Sequence, residues 1–367
     1  MVRSPLSLVV VRRAVAARIP SLRLPAAPLG AGLWPLALLC LTVAAVLRIF
    51  PDLDEHHFHI DEGIYVSVTN NMLATGDWIN LEYQGTAYLN KPPLYCWITA
   101  AILPLTDGGR GAYRLWSALF GVGCVLLTAV LGRRLFGPGV GVLAAMILLS
   151  NGKFIHNHGV RSASFDAALT LLGLLFFLLW WDMRERGRRW LRWGVMGVLL
   201  GAGFMLKTLG GLPMLGALAL YGLVFDRSVP VWNRLAGPLL AVGVACLIAA
   251  PWHIIQWQIH GAAFTHYIFW QNYVQRAVNG LDPWHIRGPL FYAWTITESC
   301  SAFALALPAL GWAAWRSVSG ERSESLRLLV VPTAIYLFVF SLSKSKLEWY
   351  VYPTFPLIAL VVAWLLW

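Results

Sequence analysis

The chain alternates long apolar runs with short polar turns along almost its whole length. Runs near 33–50, 113–132, 139–150, 164–181, 194–206, 211–225, 235–255, 289–315, 327–342 and 350–367 each approach the ~20 residues that a helix needs to cross ~30 Å of hydrocarbon. The pattern predicts an all-α membrane protein with about ten transmembrane helices. The connections alternate in character. One set is short and rich in arginine, whereas two others are long, about 51–112 and 256–288. The first long connection holds an apolar stretch at 93–105, which is the length of an interfacial or re-entrant helix rather than of a crossing.

Composition agrees: 58% hydrophobic residues and only 12% charged ones exclude an ordinary soluble domain. The net charge of +11 would suggest nucleic acid in a soluble chain, but the arginines alternate with spans, so topology accounts for them and no nucleic-acid partner is expected. The five cysteines are scattered without metal-type spacing and read as packing residues. Residues 1–32 carry Arg3, Arg12, Arg13, Arg18 and Arg23 and read as a basic cytoplasmic leader ahead of a transmembrane domain at 33–367. No Walker or GxGxxG loop, no HExxH and no repeat is present, which leaves ATP-driven transport and soluble-nucleotide chemistry without support.

Orientation follows from the arginines. If the first span runs outward, Arg133 and Arg134 and the basic stretches at 184–192, 227–234 and 316–327 all fall on the cytoplasmic side, as the positive-inside rule requires. The same threading gathers twelve of the seventeen acids and all nine histidines at the outer face. Avoidance of the inner loops explains some of these acids. It does not explain ionisable groups at the ends of apolar runs, where a charge is costly unless it is paired or functional.

Six polar clusters share that face. Asp61 and Glu62 open a helix just past the first span; such a carboxylate serves either as a general base toward an acceptor hydroxyl or as an N-terminal acid favoured by the helix dipole. Tyr88 and Lys91 precede Pro92 and Pro93, and Lys91 suits an anionic headgroup, with snorkelling as the bland alternative. Arg161 is an expected partner for Asp166, which enters the next span. Lys207 is followed by Gly210 and Gly211, which would admit a phosphate close to the backbone. His266, Gln271, Asn272 and Arg276 lie in the second long connection, and Ser343, Lys344, Ser345, Lys346 and Tyr350 in the last outer turn. Carboxylates beside several cations in apolar surroundings fit a reaction in which a lipid-linked phosphate leaves: cations stabilise its charge while a carboxylate takes or positions the acceptor proton. The histidines lack a clear ligand set, so no cofactor is expected, with a divalent metal as the alternative reading.

These segments together resemble the GT-C superfamily of membrane glycosyltransferases, in particular those like the bacterial aminoarabinose transferase of lipid A and, more distantly, protein O-mannosyltransferases. The resemblance runs from about residue 55 to the end and rests on Asp61-Glu62, Asn90-Lys91-Pro92-Pro93, Arg133-Arg134, Arg161 with Asp166, Lys207 with its glycines, Phe269-Trp270 leading to Arg276, and Ser343 through Leu347 with Tyr350. It implies a polyprenyl-phosphate sugar donor and an acceptor that is a lipid, protein or glycan. It also implies reaction at the periplasmic face of the bacterial cytoplasmic membrane. Asp61 would be the catalytic carboxylate, with Asp166 and Glu62 beside it. Lys91, Tyr88, Arg276 and Tyr350 would hold the donor phosphate, joined in the candidate set by Lys207, Lys346 and Arg161. Two departures stand out: Asn90 where the aminoarabinose enzymes commonly have Glu, and an end at Trp367 inside an apolar run, with no soluble C-terminal domain in this chain. A lipid or solute transporter is the alternative from another class, since charged span ends also line substrate paths.

Overall fold

The computed structural model describes residues 31–186, 189–227, 229–320 and 322–367; nearly all of the expected basic leader lies outside these residues. The described chain is helical, with one two-strand hairpin as its sheet. Five helical segments are long and apolar enough to cross a membrane: Arg110–Phe136, Asp166–Met183, Val231–Val278, Ser323–Leu342 and Glu348–Leu366. Four apolar helices are shorter, Trp34–Ile49, Leu94–Leu105, Pro138–Leu149 and Leu212–Phe225. The molecule is therefore a multi-pass membrane protein, although the ten runs do not become ten uniform spans. The run at 289–315 is broken into a short helix Phe291–Thr297, a 3-10 turn Ser301–Leu305 and a helix Ala306–Arg316. The connection expected from 256 is helical as far as Thr265 and continues as a π-helix, His266–Gln275.

In chain order the elements that frame the site are α1 (Trp34–Ile49), α2 (Ile60–Thr75), β1 (Glu82–Tyr83), β2 (Thr86–Ala87), α3 (Leu94–Ile102), α4 (Arg110–Phe136), α5 (Pro138–Leu149), α6 (Gly152–His156), α7 (Asp166–Arg186), α8 (Arg189–Leu206), α9 (Leu212–Phe225), α10 (Val231–Thr265), α11 (Phe291–Thr297), α12 (Ala306–Arg316), α13 (Ser323–Leu342) and α14 (Phe355–Leu366). Lipid tails give no hydrophobic force between helices, so close approach depends on small residues. A Cβ on Gly141 would stand 2.3 Å from the Ala129 carbonyl oxygen, which shows how closely α4 and α5 cross. At the α8–α10 contact Gly197 faces Ala241 and Val244, and Gly201 faces Ile248.

Two ends of the bundle are distinct. α4 spans both, since its 27 residues reach ~40 Å. At its C-terminal end Arg134 pairs with Asp182, Arg322 donates to the Leu135 carbonyl, and Arg192 donates to the Asp182 carbonyl. At its N-terminal end Arg110 and Arg114 meet the loop that follows α1 and the start of α2. That second end carries the polar clusters.

Candidate functional site

Asp61 is the second residue of α2, a helix that starts where His59 turns extended and its backbone N–H donates to Glu62 Oε2 at 2.9 Å. Asp61 has no hydrogen bond or ion pair within the described protein and lines a cavity of about 560 Å³. After α2 ends on Gly76 at φ 71°, the chain makes the β1–β2 hairpin, closed by Gln84 and Gly85, both at positive φ. Such a two-residue turn matches the twist of the flanking strands. Tyr88 N–H then donates to the Leu81 carbonyl at 2.7 Å, and this returns Tyr88, Asn90 and Lys91 to the cavity wall.

Lys91 Nζ donates to Asn272 Oδ1 at 2.9 Å and to the Asn90 carbonyl at 3.2 Å. Burial, with Lys207 and Arg276 nearby, pushes its ammonium down to about 7. Burial, with Cys96 and Asp61 nearby, pushes the Tyr88 phenol well above its ordinary value, so it stays a donor. From the opposite side, Arg276 follows the π-helix and donates through one guanidinium nitrogen to Tyr350 Oη at 3.2 Å, while its Nε is buried without a partner. The Arg276 backbone is clamped: its carbonyl accepts from Ser345 N–H at 3.0 Å and Ser343 Oγ at 3.3 Å.

Asp166 begins α7, is 4% exposed and lies 3.8 Å from Lys207 Nζ. Lys207 is held further by the rings of Tyr350 and Phe165, at 4.7 and 5.3 Å from their centroids. The partner of Asp166 is therefore Lys207 and not Arg161. Long-range packing of α8 against α7 decides this, whereas sequence adjacency suggested Arg161.

One cavity thus brings together Asp61, Tyr88, Lys91, Asp166, Lys207, Arg276 and Tyr350. Three other candidates lie elsewhere. Glu62 is 1% exposed and accepts from Arg114 Nε at 2.8 Å, Arg114 Nη2 at 3.1 Å, Ala163 N–H at 2.6 Å and His59 N–H. Burial alone would raise its carboxyl, but these bonds outweigh it and hold the group below its ordinary value. Arg161 donates to the Pro51 carbonyl at 2.5 Å, and Lys346 to the Ser343 and Arg287 carbonyls at 2.5 and 3.1 Å. Sequence reasoning did not assign a role to Asn272, Arg114, His158 or Trp349. His158 stacks on Trp349 with centroids 3.7 Å apart, and both line the cavity. The loops that carry them are laced together by Lys153, which bonds Glu298 at 2.5 Å and Glu348 at 2.6 Å. Among the described residues no three His, Cys, Asp or Glu side chains meet in a group that could hold a metal ion.

Fold and cavity together define a helical, multi-pass membrane protein with its polar groups gathered at one end of the bundle. Residues 90–255 match the family described as dolichyl-phosphate-mannose-protein mannosyltransferase. The chain is similar to an undecaprenyl phosphate-alpha-4-amino-4-deoxy-L-arabinose arabinosyl transferase of Pseudomonas fluorescens, with 29% identity over 314 residues, 83% of this chain and 54% of the relative. A protein of the same description from Pseudomonas aeruginosa is 29% identical over 88% of this chain and 58% of its own. This chain therefore spans little more than half the length of these relatives. Among solved structures, ArnT from Cupriavidus metallidurans bound to undecaprenyl phosphate superimposes with a TM-score of 0.76 at 22% identity, over 91% of this chain and 60% of that one. The Archaeoglobus fulgidus oligosaccharyltransferase shares the fold at a TM-score of 0.61 and 13% identity, over 92% of this chain and 51% of that one.

Proposed function

We propose that this chain is an integral membrane glycosyltransferase, with 33–367 as its transmembrane catalytic unit, that moves a sugar from a polyprenyl phosphate to a lipid, protein or glycan acceptor. The observation that carries the reading is the meeting of Lys91, Arg276, Tyr88 and Tyr350 with the carboxylates Asp61 and Asp166 in one cavity with apolar walls. The relatives that are named as arabinosyl transferases, and the similar structure that holds undecaprenyl phosphate, support it over a transporter. The acceptor oxygen attacks the anomeric carbon, the bond from that carbon to the phosphate oxygen breaks, and the electron pair leaves with the phosphate. Lys91 and Arg276 face that growing charge, an effect worth more in a dry site than in water. Asp61, without an internal partner, takes the acceptor proton. Asp166, through its pair with Lys207, holds the wall on which the sugar rests. The working end is assigned to the periplasmic side of a bacterial cytoplasmic membrane, opposite the arginine-rich end.

The test is transfer from a synthetic polyprenyl-phosphate sugar by the purified protein. Asp61→Asn is expected to lower turnover by about 10²–10⁴-fold with donor binding kept, and Lys91→Ala to weaken binding of undecaprenyl phosphate itself. Full turnover in Asp61→Asn would remove Asp61 from the chemistry.

A further inference from the structure

The cavity's charge bears on which sugar it takes, and this step rests on the glycosyl-transfer reading above. Lys91, Lys207 and Arg276 line it against two carboxylates, Asp61 and Asp166. A polyprenyl phosphate sugar is a diester with one negative charge, so three cations, two carboxylates and the phosphate sum to zero. His158, also in the wall, can only add positive charge. An ammonium on the sugar would enter this low-dielectric space as an unbalanced cation, and a buried charge persists only when it is paired.

Apart from Asp61, the carboxylate that could pair it is engaged. Asp166 has Lys207 at 3.8 Å. The Phe165 and Tyr350 rings, which could hold a cation over their faces, already carry Lys207. One face of Trp349 is covered by His158. Asp61 alone is free, and an ion pair there would tie up the base. By contrast, Gln271 and Thr208 line the same cavity with neutral groups of the kind that hydrogen-bond hydroxyls. Asn90 adds a neutral amide to the same wall.

We propose that the donor sugar is uncharged, a pentose or hexose held through its hydroxyls by neutral side chains, and that an amino sugar is rejected by the cations around it. The experiment compares two synthetic undecaprenyl phosphate donors that differ in one group, arabinose and 4-amino-4-deoxy-arabinose, at pH 6.5 where the amine is charged. Each displaces labelled undecaprenyl phosphate from the purified full chain, and turnover is followed in parallel. The arabinose donor should displace the label at a concentration at least tenfold lower, which is ~1.4 kcal/mol. Asn90→Asp, which places a carboxylate in the wall, should narrow that ratio at least threefold. Equal displacement, or stronger displacement by the amino sugar, overturns the proposal. A ratio unchanged in Asn90→Asp overturns its electrostatic cause. If the preference is found but neither donor is turned over with any acceptor, the transfer reading falls while the binding preference stands.

Discussion

Lys91 sits where a local sequence signal and a long-range contact meet. Its place before two prolines was readable because the pyrrolidine rings fix the backbone at that point. Its bond to Asn272 was not, since that contact joins residues 181 positions apart. Because burial and two cationic neighbours bring its ammonium down to about 7, the empty protein is half neutral there, and an arriving phosphate draws the proton back. Below pH 7 the lysine is already charged, whereas above it each pH unit costs up to about tenfold. Calorimetric titration of undecaprenyl phosphate in two buffers of different ionisation enthalpy should show proton uptake at pH 8, and Lys91→Arg should abolish both the uptake and the slope. Glu62 makes the contrasting case. Its position beside Asp61 suggested chemistry, but its four hydrogen bonds make it the anchor of the α2 N-terminus. Breaking such a buried pair costs about 3–5 kcal/mol, so Arg114→Met should lower the thermal midpoint in detergent markedly, before any question of turnover arises.

At the scale of elements, periodicity revealed the helices but not where they stop being regular. The run at 235–255 reads as one span, while the helix that contains it continues through Pro238 and Pro251, bends at Gly261 with φ 54°, and then widens into the π-helix. Nothing in the apolar pattern marks that change, because hydrophobicity reports burial and not turn geometry. The crossing of α4 and α5 is equally specific. Gly141→Ala would set a methyl group against the Ala129 carbonyl and the Arg133 amide nitrogen, 2.3 and 2.8 Å away, and both are backbone that cannot rotate aside. Overpacking of this kind costs about 1–3 kcal/mol. Denaturation of Gly141→Ala should show that loss, while Gly216→Ala on α9, where an added Cβ meets nothing within 4 Å, should match the parent.

For the whole molecule, the alternation of apolar runs with basic turns was enough to give the fold class, and the gathering of acids gave the end that carries the cavity. Two pairings escaped this reading, Asp166 with Lys207 and Lys346 with backbone carbonyls, since both depend on which helix packs beside which. Orientation is open to direct test in cells. In a cysteine-free background, Gln84→Cys on the hairpin should react with an impermeant maleimide added outside, and Val318→Cys, 79% exposed beyond α12, only after the membrane is opened. The reverse result would place the cavity in the cytoplasm.

The π-helix also sets how finely the cavity wall can be retuned. Asn272, which holds Lys91, lies on that widened coil, and Arg276, which meets Tyr350, follows directly on its end, so the two halves of the anion cradle share a single angular setting. Removing one residue from 266–275 would swing everything on one side of the cut by roughly 80° relative to the other, since an i→i+5 coil holds about 4.4 residues per turn. Length within that coil is thus under tighter constraint than the identity of most residues in it, and variation by substitution is the course open to this wall.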